Sequence, residues 1–94
     1  MKVKWTNQAS NSLEDLINYL EIHWSMREIK NLETKLAKTI AIISGHPDVF
    51  PASKSFPRLR KALVDKNNYL IYKYDKDEES IVIVHFRGTK QKPL

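Results

Sequence analysis

The stretch "NYLIYKYDKDEESIVIVHF", Asn68–Phe86, holds two runs rich in tyrosine, isoleucine and valine on either side of the polar cluster "KDEE". Aromatic and β-branched residues suit a pleated chain, and a short polar break between two such runs reads as a tight connection. The stretch therefore predicts two antiparallel strands, 68–75 and 80–86. Both runs are apolar at odd and at even positions, which fits a central place in a sheet or cover on both faces. Upstream, "RLRKALV" (58–64) predicts a third strand joined to the first by "DKNN", so the C-terminal half is expected to form a three-stranded antiparallel meander.

The N-terminal half follows a different period. "KVKW", Lys2–Trp5, alternates polar and apolar residues and predicts a short strand. Ala9, Leu13, Leu16, Ile17, Leu20 and Trp24 then recur at helical spacing on one face, with Thr6 or Asn7 available as the cap. Ser25 and Glu28 have the form of a capping box, so a second helix should begin as soon as the first ends. Its buried stripe is Ile29, Leu32, Leu36, Ile40 and Ile43; Gly45 is expected to close it in the left-handed conformation, with Pro47 blocking continuation. The segment "HPDVFPASKSFP" (46–57) carries three of the four prolines and is expected to be an ordered loop, pinned by Val49, Phe50 and Phe56. The tail "RGTKQKPL" (87–94) is expected to be loosely held. The elements add up to a two-layer α+β fold, β-α-α-β-β-β, with the α-helical hairpin on one face of the sheet and the other face open. A chain of 94 residues is enough for a single domain spanning 1–94.

Charge is unevenly spread. Residues 1–50 hold six Lys/Arg against six acids, whereas residues 51–94 hold ten against five, so the whole net charge of +5 lies in the C-terminal half. Such an excess suits an anionic partner, nucleic acid or an acidic protein, and it equally suits an inert basic surface. Cysteine is absent, which excludes disulfides and thiolate metal sites. No metal-ligand spacing or phosphate-cradling glycine loop occurs, and the expectation is a protein with no metal and no cofactor. The sequence has no signal-peptide pattern and no apolar run long enough to span a bilayer, and the expected location is the cytoplasm with no membrane partner.

In the strand 58–64, Leu59 and Leu63 are the natural anchors against the helices, which would send Arg58 and Arg60 to the open face beside Lys54. Lys61 breaks that alternation and reads as an edge residue or the mark of a bulge. His85 and Arg87 share a parity with Ile81 and Ile83 in the last strand. If that parity faces the arginines, Arg58, Arg60, His85 and Arg87 converge in a cluster able to hold a phosphate, with His85 passing a proton. The plainer alternatives are a structural histidine beside Phe86 and basic residues that keep an edge strand soluble. His23 and His46, at a helix end and in the loop, need no role beyond compensating helix C-terminal charge. Tyr69, Tyr72 and Tyr74 fit packing better than base stacking.

In order and spacing, "VKWTNQAS", "DLINYL", "HWS", "HPDVFP", "RLRK", "NYLIYKYD" and "IVIVHFRGTKQKP" together resemble the RelE/ParE superfamily of bacterial type II toxins over nearly the whole chain. The resemblance implies a growth-inhibiting toxin of the plasmid stabilization type. A cognate antitoxin segment would wrap its helices and sheet, giving a toxin–antitoxin hetero-oligomer. RelE-like members cut messenger RNA on the ribosome, and ParE-like members poison DNA gyrase. Arg58 and Arg60 match the superfamily's basic strand, and Arg87 and Lys90 fall near the basic residues after its last strand. No tyrosine follows Tyr74, and the ending "FRGTKQKP" is similar to the ParE side. The resemblance thus implies first a gyrase-binding toxin, with Lys54, Arg58, Arg60, Lys61, Arg87 and Lys90 meeting the target. The second implied role is a ribosome-dependent mRNA endoribonuclease with Arg58, Arg60, His85 and Arg87 at the scissile phosphate, and the third is an inactive member that only binds antitoxin.

Overall fold

Thr6 ends the first strand and starts the first helix. Its backbone is extended (φ −68°, ψ 157°), its Oγ1 accepts a hydrogen bond from the Ala9 N–H at 3.1 Å, and the same hydroxyl donates to the Val84 carbonyl at 2.7 Å. One side chain therefore caps a helix and fastens it to the sheet. The structure, a computed structural model, describes residues 1–91; its elements are β1 (Lys2–Trp5), α1 (Asn7–His23), α2 (Met26–Gly45), β2 (Arg60–Asp65), β3 (Asn68–Asp75) and β4 (Ser80–Gly88). This is the expected α+β order, with the hairpin on one sheet face.

The capping box forms. The Glu28 carboxylate accepts from the Ser25 N–H at 3.0 Å and also from its hydroxyl, and these bonds hold it below the ordinary carboxylate pKa. The buried stripe of α2 is Ile29, Leu32, Leu36, Thr39 and Ile43, with Ile40 packed beside it. Thr39 tolerates burial because its hydroxyl donates to the Lys35 carbonyl at 2.9 Å. Gly45 does not take the left-handed conformation; the one positive φ among the described residues is at Glu79, in the β3–β4 turn. Instead α2 ends when the His46 N–H bonds the Ile42 carbonyl and Pro47 follows with no N–H to offer.

The four strands are ordered β1-β4-β3-β2, with β1 parallel to β4 and the other pairs antiparallel. Strands β3 and β4 are central, which accounts for their apolar residues at both parities. The core lies between sheet and helices, where Leu32, Leu36 and Ile43 meet Ala62, Leu70, Tyr72, Ile81, Ile83 and Phe86.

Two departures from simple alternation decide what faces where. In β2 the buried residues are Ala62 and Val64, while Lys61 and Leu63 are exposed, Leu63 at 56%. The expected anchoring by Leu59 and Leu63 is thus reversed: the strand begins at Arg60 rather than Arg58, and Arg60 shares the helix-side parity with Ala62. In β4, Tyr72 pairs with Ile83 and Ile71 with His85, so Val84 is an extra, bulged residue. The bulge separates His85 from the parity of Ile81 and Ile83 and brings Phe86 into the core.

The loop is only partly pinned as expected. Phe50 packs edge-on against Tyr72, with centroids 6.4 Å apart at 87°, but Val49 is 55% exposed. Nor are residues 87–91 loosely held. β4 runs on to Gly88, Thr89 bonds through its N–H to the Asn67 carbonyl (2.8 Å) and through its hydroxyl to the Lys66 carbonyl (2.9 Å), and the Gln91 side chain accepts from the Gly88 N–H at 2.7 Å. The rest of that expectation falls on residues 92–94, outside the described residues.

Candidate functional site

The register of the sheet sets two rows across its open face. Lys61 pairs with Ile71, which pairs with His85; Leu63 pairs with Tyr69, which pairs with Arg87. Residues paired in this way stand side by side on one face. Three basic or titratable groups, Lys61, His85 and Arg87, therefore frame a patch whose floor is Ile71 and Tyr69, both nearly inaccessible. Two aromatic contacts cover that floor. The Lys61 ammonium lies 4.2 Å from the Tyr69 ring centroid, and the Phe56 ring stacks on the His85 imidazole with centroids 5.7 Å apart at 24°.

Phe56 reaches His85 because the proline-rich loop turns back along β2. The Ser53 N–H bonds the Leu59 carbonyl at 2.8 Å, the Lys61 N–H bonds the Pro51 carbonyl at 2.9 Å, and the Ser53 hydroxyl accepts from the Phe56 N–H at 3.3 Å. Burial beneath this loop, together with the positive charge of Arg87, lowers the His85 pKa below its ordinary value of 6.5. Both causes favour the uncharged imidazole.

Arg60 stands apart from this patch. Its Nη1 donates to the Phe50 carbonyl at 2.6 Å and to the Asp48 carbonyl at 3.2 Å, and its Nη2 lies 3.4 Å from the Asp48 carboxylate. It bolts the 47–50 segment to the start of β2. Tyr72 reinforces the same joint, with its buried hydroxyl donating to the Pro47 carbonyl at 2.6 Å and its pKa raised, chiefly by burial. The expected convergence of Arg58, Arg60, His85 and Arg87 is not formed: His85 and Arg87 share the open face, Arg60 is engaged at the loop, and Arg58 is exposed on the loop before the strand. Lys54 is also exposed on the loop, and Lys90 lies beyond the end of β4. Among the described residues no group of three or more His, Asp or Glu could hold a metal ion, and no helix is long and apolar enough to cross a membrane.

The sequence model of a family described as "ParE toxin of type II toxin-antitoxin system, parDE" matches residues 3–93 of the chain. The chain belongs to this family of ParE toxins. No curated protein matches it significantly. Among solved structures it is similar to the chromosomal ParDE toxin–antitoxin system from P. aeruginosa, at 12% identity and a TM-score of 0.76, with 96% of this chain and 97% of that one covered. It is similar also to a YoeB/ParE toxin from Agrobacterium tumefaciens, at 13% identity and a TM-score of 0.70, covering 94% and 98%. The intact E. coli RelBE toxin–antitoxin complex gives 11% identity and a TM-score of 0.61, covering 96% and 98%. At such identities the likeness to solved structures is one of fold.

One further feature of this ParE-family chain was not read from the sequence. Between α1, the start of α2 and the far end of β4 lies a groove of about 1100 Å³. Leu16, Leu20, Leu32 and Phe86 line it, and Tyr19 and Trp24 stand half or more exposed at its side. Trp24, expected on the buried stripe of α1, is instead the residue that ends that helix and is 59% exposed, in company with Ile22 and Met26. The available signal was the abrupt change of helix at Ser25, which puts Trp24 at the end of α1 rather than on its packed face.

Proposed function

We propose that this toxin arrests growth by binding DNA gyrase in the cytoplasm and is neutralised by a cognate antitoxin in a hetero-oligomer, as part of a plasmid stabilization system. The observation that carries this reading is the state of the basic residues. A nuclease needs several cations and a proton carrier converging on one phosphate. Here Arg60 is engaged by the carbonyls of Asp48 and Phe50, and His85 lies under Phe56. The exposed cations Lys54, Arg58, Lys61 and Lys90, with the half-buried Arg87 on the sheet face of Lys61, suit holding an anionic macromolecule rather than cleaving one. The RelBE complex among the similar folds supports an antitoxin as partner.

The ribosome-dependent endoribonuclease is the second reading, and it draws on Lys61, His85 and Arg87 sharing the open face. Expression without antitoxin, followed by a supercoiling assay with purified gyrase and primer-extension mapping of ribosome-bound messages, separates the two. Inhibited supercoiling with intact messages is the expected result. Cuts placed by codon, with supercoiling unaffected, would overturn the gyrase reading. Normal growth with folded toxin present would leave antitoxin binding as its remaining role.

A further inference from the structure

The segment "KSFPR", Lys54–Arg58, stands out from the loop between two bonded points. At its base the buried Ser53 donates its N–H to the Leu59 carbonyl at 2.8 Å, and next to that bridge the Lys61 N–H bonds the Pro51 carbonyl at 2.9 Å. All five residues between Ser53 and Leu59 are exposed. The backbone of Phe56 is tied into the loop itself: its N–H donates to the Ser53 hydroxyl at 3.3 Å, and its carbonyl accepts from the Leu59 N–H at 2.8 Å. Phe56 reaches β4 through its ring, stacked on the His85 imidazole. The base of the segment is therefore fastened by backbone bonds, and its tip is held to the sheet by a side-chain contact.

We infer that residues 54–58 form a lid, closed by the Phe56–His85 stack, whose opening brings the His85 imidazole onto the accessible face beside Lys61 and Arg87. The stack is a weak latch. An aromatic pair of this kind biases closure by about twofold to tenfold, a factor that the contacts of a bound partner can reverse. Charge opposes closure. Lys54 and Arg58 flank the Phe56 tip, and the two rows of the face beneath carry Lys61 and Arg87 and no acid. Like charges on lid and face repel, and salt screens that repulsion. An anionic partner that engages Lys54 or Arg58 thus acts on the segment that bears Phe56. The inference holds whichever macromolecule the toxin targets, and its test uses the toxin alone.

The probe is diethyl pyrocarbonate, which acylates uncharged imidazoles, applied to the folded toxin at about pH 7.5, above the ordinary histidine pKa. Peptide mass spectrometry reads the rate at His85 against the exposed His46 of the same molecule. His85 is expected to react about threefold to tenfold more slowly than His46. Phe56→Ala should bring the two rates to within about twofold, whereas Phe56→Tyr, which keeps the ring, should leave His85 slow. Neither substitution should move the unfolding midpoint appreciably, because the Phe56 side chain is already 38% exposed. Two conditions tell a lid from a fixed cover. Added salt, by screening the lid cations from those of the face, should slow His85 relative to His46. Sub-denaturing urea should leave that ratio nearly unchanged, because opening the lid exposes little surface. Equal His85 rates in the unaltered toxin and Phe56→Ala, a ratio indifferent to salt, or a His85 rate that climbs with urea as steeply as global unfolding would each overturn the inference.

Discussion

On the helix side of β4, Ile81, Ile83 and Phe86 are buried in one apolar core; on its open side, Val82, His85 and Arg87 are half-buried among basic and aromatic groups. The same strand thus serves two purposes, and what divides them is cover. Two helices exclude water from one face, so apolar volume decides the energy there. A single loop, with Phe56 and the lysine over Tyr69, shields the other only in part, so that its charged groups are half-buried or exposed. The core and the proposed recognition surface lie on opposite faces of one sheet.

The largest test of this division is Ile83→Ala, which removes a fully buried side chain from the helix side and should cost about 2–5 kcal/mol in denaturant unfolding. A loss below about 1 kcal/mol would mean that the core does not depend on this face.

Arg60 tests the boundary between the two faces. Its guanidinium holds the Phe50 and Asp48 carbonyls from a position about a third exposed, so Arg60→Ala should cost about 1–2 kcal/mol while leaving target binding largely intact. Unchanged stability with binding abolished would return Arg60 to the recognition surface.

The smallest effect belongs to His85. Its folded pKa is depressed, so the unfolded chain binds its proton more readily. The stability it contributes is complete above the ordinary value of 6.5 and is lost as pH falls through the lower folded value. Phe56→Ala should relieve the burial and return the pKa toward 6.5, which an NMR titration of the imidazole reads directly. A histidine that titrates identically in both proteins would show that Phe56 is not its cover.

Much of the architecture was legible because it rests on local chemistry. The spacing of Ile29, Leu32, Leu36 and Ile43 could form no other face than the one that packs, and the Ser25–Glu28 pair marked the break between helices. The tyrosine- and valine-rich runs gave the central strands. The candidate site was less legible, because a strand's parity can be counted from sequence only while the ladder is regular. One bulged residue, Val84, turns His85 away from the side of Ile81, and the loop's grip on the start of β2 turns Arg60 away from the open face. Leu63 looked like an anchor and is exposed, whereas the smaller Ala62 fits beneath the helices.

The sequence by itself determined the order of the elements, the helical hairpin and the basic C-terminal half, since these follow from periodicity, capping and composition along the chain; the likeness to the toxin superfamily was a resemblance carried by several short strings in order. Only the tertiary structure decided which basic residues share a face, that β1 lies parallel to β4 and covers half of it, and that a groove opens beside the uncovered half. These depend on pairings between residues far apart in sequence, where one bulge or one loop contact is enough to change which side of a sheet a residue occupies.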